Sequence, residues 1–112
     1  MTKEHVLAKR LLNAVWNEDV ELAGIVLDAG ADANWYFNGY PILLHAVFTR
    51  NEEMVMLLLE YGAQQASEAL GFALDRGIGE MVRPLAFLGI VPKKEHVLKK
   101  YGEFPQRYAP II

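Results

Sequence analysis

Two stretches of the chain share one pattern of residues. Residues 14–32 have the sequence AVWNEDVELAGIVLDAGAD, and residues 46–63 have the sequence AVFTRNEEMVMLLLEYGA. Matching residues of the two stretches are separated by a constant distance in sequence: the step from Ala14 to Ala46 equals the step from Gly30 to Gly62. An internal period of about 30 residues is typical of stacked-repeat proteins. Such proteins bury apolar residues between neighbouring units and present an extended surface, so the pattern favours a binding function.

Helical periodicity dominates the chain, and no segment shows sustained strand alternation. The first predicted helix is capped by Thr2, and one face of it carries the apolar residues Val6, Leu7, Leu11, Leu12 and Val15. Asn17 is predicted to cap the second helix, and Gly30 to end it, because glycine tolerates the left-handed backbone found after helices. Asn51 and Gly62 repeat these signals one unit later.

A third copy of the pattern is weaker. The step from Ala46 to Ala73 is shorter than the step from Ala14 to Ala46, so the connection between the second and third units is predicted to be shorter. Ser67 is predicted to cap the inner helix of this unit, and the partner helix is predicted to begin at Gly79. Pro84 lies inside that partner, where proline costs about 3 kcal/mol. We therefore expect a kinked or shortened helix.

The C-terminal part is predicted to close the stack. Pro92 suits the entry to a last helix, from Lys93 to about Tyr101. The domain is predicted to span residues 1–102. Residues 103–112 are too rich in proline for a helix and are predicted to form an irregular tail, which either covers the last apolar face or acts as a short docking segment.

The two strong copies resemble the ankyrin repeat. Residues 41–46, PILLHA, are similar to a degenerate form of the family's Thr-Pro-Leu-His-x-Ala signature, with Tyr40 in place of the threonine. Residues 25–34 and 57–63 are similar to the second helix of the repeat and its following turn. The resemblance covers residues 11–91. It implies an all-α fold, a short solenoid of about three helix-turn-helix repeats with helical caps.

Composition limits the compartment and the class of partner. The chain has 112 residues, of which 53% are hydrophobic, and a net charge of −3. Non-specific nucleic-acid binding needs a basic face, so no nucleic-acid partner is predicted. No apolar run approaches the roughly 20 residues of a membrane span, and the charged N-terminus does not resemble a signal peptide. The absence of cysteine fits a reducing compartment. We expect a cytoplasmic protein without a membrane partner.

The polar residues form no recognisable catalytic or metal-binding motif. The three histidines are far apart in sequence, at His5, His45 and His96, whereas a zinc site needs three or four convergent ligands. By resemblance, His45 orders a turn by hydrogen bonding. Paired carboxylates occur where helix dipoles favour them, at Glu18, Asp19, Glu52 and Glu53. The sequence therefore predicts no enzyme, no cofactor and no metal.

Aromatic residues are concentrated in residues 35–40, WYFNGY. Asn38-Gly39 is a favoured tight-turn pair, and in an ankyrin-like fold this segment is the hairpin finger at the edge of the concave surface. Large aromatic side chains dominate the energetics of protein interfaces. Alternation along the finger is expected to bury some rings and expose others. The candidate partner-binding residues here are Trp35, Tyr36, Phe37 and Tyr40.

The resemblance implies further contact residues on the inner helices. Partners of ankyrin proteins commonly touch the junction between inner and outer helices, which predicts a second set of partner-binding residues: Arg50, Asn51, Asp75 and Arg76, the last two assigned to the matching place in the third unit. Three residues that align across the units are predicted to line the concave face: Asn13, His45 and Phe72. Trp16 and Phe48 occupy equivalent positions of the first two units and are predicted to pack between repeats.

The sequence thus predicts a non-catalytic module that binds another protein through the aromatic finger and the concave helix face. Its small size suggests a dedicated inhibitor or neutraliser, such as an immunity protein, an antitoxin or a phage inhibitor. The alternative is a homo-oligomeric structural protein, for example a homodimer, that self-associates through the same aromatic surface. A third hypothesis is a small-molecule sensor with a pocket near Pro84 and Tyr101.

Overall fold

The structure is a computed structural model that describes residues 2–90. The described chain is all-α, with three helix pairs and one short hairpin. The pairs are α1 (Lys3–Trp16) with α2 (Val20–Asp28), α3 (Ile42–Thr49) with α4 (Glu52–Glu60), and α5 (Ala66–Arg76) with α6 (Gly79–Phe87). The antiparallel hairpin, β1 (Tyr36–Phe37) and β2 (Tyr40–Pro41), joins α2 to α3. The predicted last helix, 93–101, and the predicted tail, 103–112, lie outside the described residues.

The helices form two rows. In the inner row α1 contacts α3, and α3 contacts α5. In the outer row α2 contacts α4, and α4 contacts α6. The two helices of each pair also pack against each other. The apolar core lies between these rows, and its largest fully buried side chains include Leu11, Leu43, Met54, Leu58, Phe72 and Met81.

Equivalent turns separate the helices of each pair. The inner-row helices are followed by residues with left-handed backbone, at Glu18 (φ 58°), Arg50 (φ 62°) and Gly77 (φ 69°). The step from Glu18 to Arg50 equals the step from Ala14 to Ala46, and the step from Arg50 to Gly77 equals the shorter step from Ala46 to Ala73. The matching place of Arg50 in the third unit is therefore Gly77. The assignment of that place to Asp75 and Arg76 was wrong, because both residues still belong to α5.

The helix caps agree in part with the sequence analysis. The Thr2 hydroxyl accepts from the His5 backbone N–H at 3.2 Å, and Asn51 accepts from Met54 at 3.1 Å, so both predicted caps are confirmed. The cap of α2 is Asp19, and the prediction of Asn17 was wrong because the left-handed Glu18 intervenes. Gln65 precedes α5, so the prediction that Ser67 caps this helix was also wrong.

Helix α6 runs through its proline. It extends from Gly79 to Phe87 with Pro84 inside, and its nine residues equal the lengths of α2 and α4. The predicted shortening was therefore wrong. Because proline has no backbone N–H, the carbonyl of Glu80, four residues earlier, has no helical partner at this position.

The left-handed backbone at Glu18 gives a test of these turns. A non-glycine residue in this region is strained, and glycine relieves the strain. Glu18→Gly is expected to raise the free energy of unfolding by about 0.5 to 1 kcal/mol in urea denaturation. Glu21→Gly, three residues later inside α2, should instead lower it by about 1 kcal/mol. Destabilisation by both substitutions would contradict the described turn.

The central helix α3 has no open face. Its first six residues, Ile42 to Val47, are all buried, and only Phe48 and Thr49 are half-buried. This burial corrects one prediction about the concave face. Among the three residues expected to line it, Asn13 is exposed, but His45 and Phe72 are fully buried.

Side-chain hydrogen bonds tie neighbouring helix pairs together at their turns. The Asn34 amide N–H donates to the Gly62 carbonyl at 3.0 Å, and the Asn34 side-chain oxygen accepts from the Gln64 backbone N–H at 2.9 Å. The Tyr61 hydroxyl donates to the Asp28 carboxylate. The turn after α2 is thereby joined to the turn after α4.

Candidate functional site

The aromatic segment forms the predicted tight hairpin. Asn38 and Gly39 both have positive φ, 55° and 84°, which is the backbone of a two-residue hairpin turn that matches the twist of its strands. Across the hairpin, Phe37 pairs with Tyr40, and Tyr36 pairs with Pro41. Successive side chains of a strand point to opposite faces. Phe37 and Tyr40 therefore share the face toward His45, and Tyr36 shares the other face with Pro41, which is itself buried.

The rings of the hairpin differ in exposure as this alternation requires. Tyr36 is 44% exposed, whereas Tyr40 is only 3% exposed. Trp35 and Phe37 are half-buried, and the Trp35 ring meets the His5 ring edge-on, with centroids 5.0 Å apart. The predicted split between buried and exposed rings is confirmed. Tyr40, one of the predicted binding residues, is therefore inaccessible to a partner.

His45 holds the buried side of the hairpin in place. It is the fully buried polar residue of the described core. The Trp16 indole N–H donates to His45 Nδ1 at 3.1 Å, and His45 Nε2 lies 3.1 Å from the Phe37 carbonyl oxygen. An indole N–H can only donate, so Nδ1 must be the acceptor and Nε2 must carry the proton. This neutral ring joins α1, β1 and α3.

The surroundings of His45 favour its neutral form. The rings of Trp16, Phe37 and Tyr40 stand nearly perpendicular to the imidazole, with centroid distances of 5.7, 6.4 and 6.2 Å. Burial lowers the pKa of His45 from 6.5 to about 4, although hydrogen bonds to the backbone of Phe37 and Tyr40 act in the opposite direction. Protonation would also set an Nδ1 proton against the Trp16 N–H. His45 is therefore a structural residue at neutral pH.

Trp16 and Phe48 pack against each other beside this histidine. Their ring centroids are 6.0 Å apart, and both side chains are half-buried. The predicted packing between the first and second helix pairs is confirmed. This contact lies between the C-terminal ends of α1 and α3.

The second predicted set of binding residues lies away from the hairpin. Arg50 and Asn51 follow the last residue of α3, whereas the hairpin precedes the first, and eight helical residues span about 12 Å. The Arg50 guanidinium lies 3.7 Å from the Glu80 carboxylate in α6. Asn51 is occupied by its capping bond. The structure thus does not join these residues and the hairpin into one compact site.

Asp75 and Arg76 lie at the end of α5 and differ in accessibility. Asp75 is exposed, while Arg76 is half-buried with its guanidinium over the Phe72 ring, 5.4 Å from the centroid. The Nε and one terminal nitrogen of Arg76 are buried without a hydrogen-bond partner among residues 2–90. Of this pair, Asp75 is the more accessible to a partner.

Two adjoining cavities lie on the outer row, and residues singled out in the sequence line both of them: Arg50 and Asn51 line the larger one, and Pro84 lines the smaller one. They have volumes of about 1010 and 580 Å³ and share Glu52, Met56 and Leu88. The smaller one is also lined by Pro84 and by Phe87, which is 89% exposed. A signal was present in the sequence, because α6 has more apolar residues than one buried face needs. Tyr101, named with Pro84 in the sensor hypothesis, lies outside the described residues.

Comparison with known proteins does not assign the chain to a family. No protein-family model matches the sequence, and no curated protein matches it. Within residues 2–90, no helix is both long enough and apolar enough to cross a membrane. The same residues hold no group of three or more His, Asp or Glu side chains placed to bind one metal ion. The hairpin surface is the candidate site that follows from the geometry.

Proposed function

We propose that the chain is an ankyrin-like, non-catalytic module that binds another protein through its aromatic hairpin. The observation that carries the proposal is the contrast between the two faces of this hairpin. Tyr40 and His45 anchor one face in the core, while Tyr36 on the other is 44% exposed. A large aromatic side chain has few rotatable bonds and buries much area at little cost in conformational entropy, which is the property of an interface hot spot.

The arrangement of the helices supports the ankyrin-like part of the proposal. The two rows of helices fit three stacked helix pairs. Equivalent turn positions are farther apart in sequence between the first and second pairs than between the second and third. The third pair therefore lacks most of the connecting segment that precedes the second. The buried state of α3 narrows the proposed surface. Binding is centred on Tyr36, with the half-buried Trp35 beside it, whereas Phe37 shares the inner face with Tyr40 and offers a partner only its accessible part. Asn13 and Asp75 are exposed, but they lie toward the C-terminal ends of α1 and α5, on the side away from the hairpin, and are not part of the proposed surface.

The biological role that we propose is inhibition or neutralisation of one dedicated partner in the cytoplasm. A standard interface buries about 800 Å² on each partner. The absence of cysteine is compatible with a reducing compartment.

Tyr36→Ala is the substitution that tests the hairpin surface. Because this ring is exposed, its removal should leave folding intact and weaken the partner complex by about 2 kcal/mol, or roughly 30-fold in Kd. The partner is first isolated by affinity capture from native lysate and identified by mass spectrometry. Its affinity for the purified variants is then measured by titration calorimetry.

Phe87→Ala is the matched control, because Phe87 is an exposed aromatic residue on the outer row. It should leave the affinity unchanged. Equal affinities of wild type and Tyr36→Ala would refute binding through the hairpin. Light scattering addresses self-association: a wild-type dimer that Tyr36→Ala converts to a monomer would favour the homo-oligomeric alternative instead.

A further inference from the structure

Charge is distributed unevenly along the sequence. Residues 1–90 carry 12 acidic and 6 basic side chains, a net charge of −6. Residues 91–112 carry 2 acidic and 5 basic side chains, a net charge of +3. Four of these basic residues are the lysines at positions 93, 94, 99 and 100, and we refer to residues 93–100, KKEHVLKK, as the basic segment. The basic charge therefore follows directly after an acidic fold.

The two cavities on the outer row form one acidic surface, which we call the outer groove. Five carboxylates line it: Glu18, Glu52, Glu53, Glu60 and Glu80. The cations lining it are Arg50 and Arg83, and Arg50 already lies 3.7 Å from Glu80. The lining of the outer groove thus has a net charge of −3, equal and opposite to that of residues 91–112.

Apolar side chains lie between these carboxylates. Met56 and Leu88 belong to both cavities, and Phe87 and Leu88 are 89% and 48% exposed. Burial of apolar surface contributes about 25 cal/mol per Å², so covering these side chains is favourable. A ligand that fits the outer groove therefore combines positive charge with a few apolar side chains. The basic segment has this composition, because Val97 and Leu98 lie between its two lysine pairs.

We propose that the basic segment of the chain docks into its own outer groove. Leu88 lines the groove, and only two residues separate Ile90 from Lys93, so the segment is tethered at the edge of its binding site. A short tether gives an effective concentration in the ~mM range. Individual surface ion pairs contribute only about 0.2 to 1 kcal/mol, but at this concentration several weak contacts suffice for binding.

The proposal is tested by reversing one charge of the groove in the full-length protein. Glu53 lines the groove. At about 0.5 M NaCl surface charges are screened, so the backbone amide NMR signals of the wild-type basic segment then report the undocked state. At low salt, Glu53→Lys should shift the signals of the basic segment toward these undocked positions. Phe87→Ala should shift the same signals. Salt should leave the signals of the Glu53→Lys variant nearly unchanged.

Glu21→Lys is the matched control. Glu21 is exposed and is the second residue of α2, as Glu53 is the second residue of α4, so both reversals oppose the helix dipole equally. Glu21→Lys should leave the signals of the basic segment in place. Equal shifts in both variants, or none in either, would overturn the proposal. Wild-type shifts that depend on protein concentration would overturn docking within one chain in favour of contact between copies.

Carbodiimide cross-linking gives an independent readout on the wild-type protein. This reagent joins a lysine amine to a carboxylate only when the two are in direct contact. Mass spectrometry of the monomer should find the lysines of the basic segment joined, with a several-fold loss in high salt, to one or more of the five groove carboxylates: Glu18, Glu52, Glu53, Glu60 and Glu80. Products confined to carboxylates outside the groove would contradict the proposed docking site.

Discussion

Replacing His45 with alanine is expected to lower the free energy of unfolding by about 3 to 5 kcal/mol. The substitution removes a fully buried ring from between Trp16, Phe37 and Tyr40, and it leaves the Trp16 indole N–H and the Phe37 carbonyl without their partner. A domain of this size is stable by only about 5 to 15 kcal/mol. Urea denaturation, followed by circular dichroism, measures the loss.

Two further variants separate hydrogen bonding from packing. His45→Gln retains an acceptor and a donor, so it should recover part of the lost stability. His5→Ala removes an exposed histidine and should cost less than about 1 kcal/mol. If His45→Ala were as mild as His5→Ala, the described hydrogen bonds of His45 would not be important for stability.

Acidification is expected to destabilise the wild-type protein through the same residue. The pKa of His45 is about 4 in the folded protein and 6.5 in its ordinary state. The unfolded chain therefore binds a proton more readily than the folded chain between these values. The stabilisation that the neutral, buried His45 gives to the folded protein is fully present above pH 6.5 and is lost as pH falls toward 4. The expected loss is about 2 kcal/mol by pH 5 and about 3 kcal/mol in total.

The His45→Gln variant separates the pH dependence of stability caused by His45 from that caused by the titration of carboxylates. Wild type and variant share all other groups, so the difference between their unfolding free energies reports His45 alone. We expect this difference to shrink by about 2 kcal/mol between pH 7.5 and pH 5. A difference that stays constant over this range would show that the folded and unfolded states bind the His45 proton equally.

Periodicity in the sequence was sufficient to predict the helices, because each depends mainly on local residues. The internal repeat, with its shorter second interval, located the turns, and Asn38-Gly39 located the hairpin. Cap positions were less accurate, as Asn17 shows. Several polar residues near a helix start can serve as caps, and the left-handed backbone of Glu18 decides between them.

The accessibility of site residues could not be predicted from the sequence. Alternation along the hairpin predicts that the faces of Tyr36 and Tyr40 differ, but not which of them is buried. That outcome depends on His45 and on its hydrogen bond from Trp16, and Trp16 is remote from the hairpin in sequence. Phe87 was missed for a similar reason, because helical spacing alone cannot show whether a neighbouring unit covers an apolar residue.

The enclosure of α3 determines where this protein can change without loss of its fold. Ile42 to Val47 touch neighbours on every side, and closely packed interiors tolerate changes of volume poorly. The outward face of the hairpin has the opposite property, because substitutions on exposed surfaces usually alter stability by less than about 0.5 kcal/mol. Sequence drift would therefore be tolerated at a few positions around Tyr36, over a scaffold that has to stay constant.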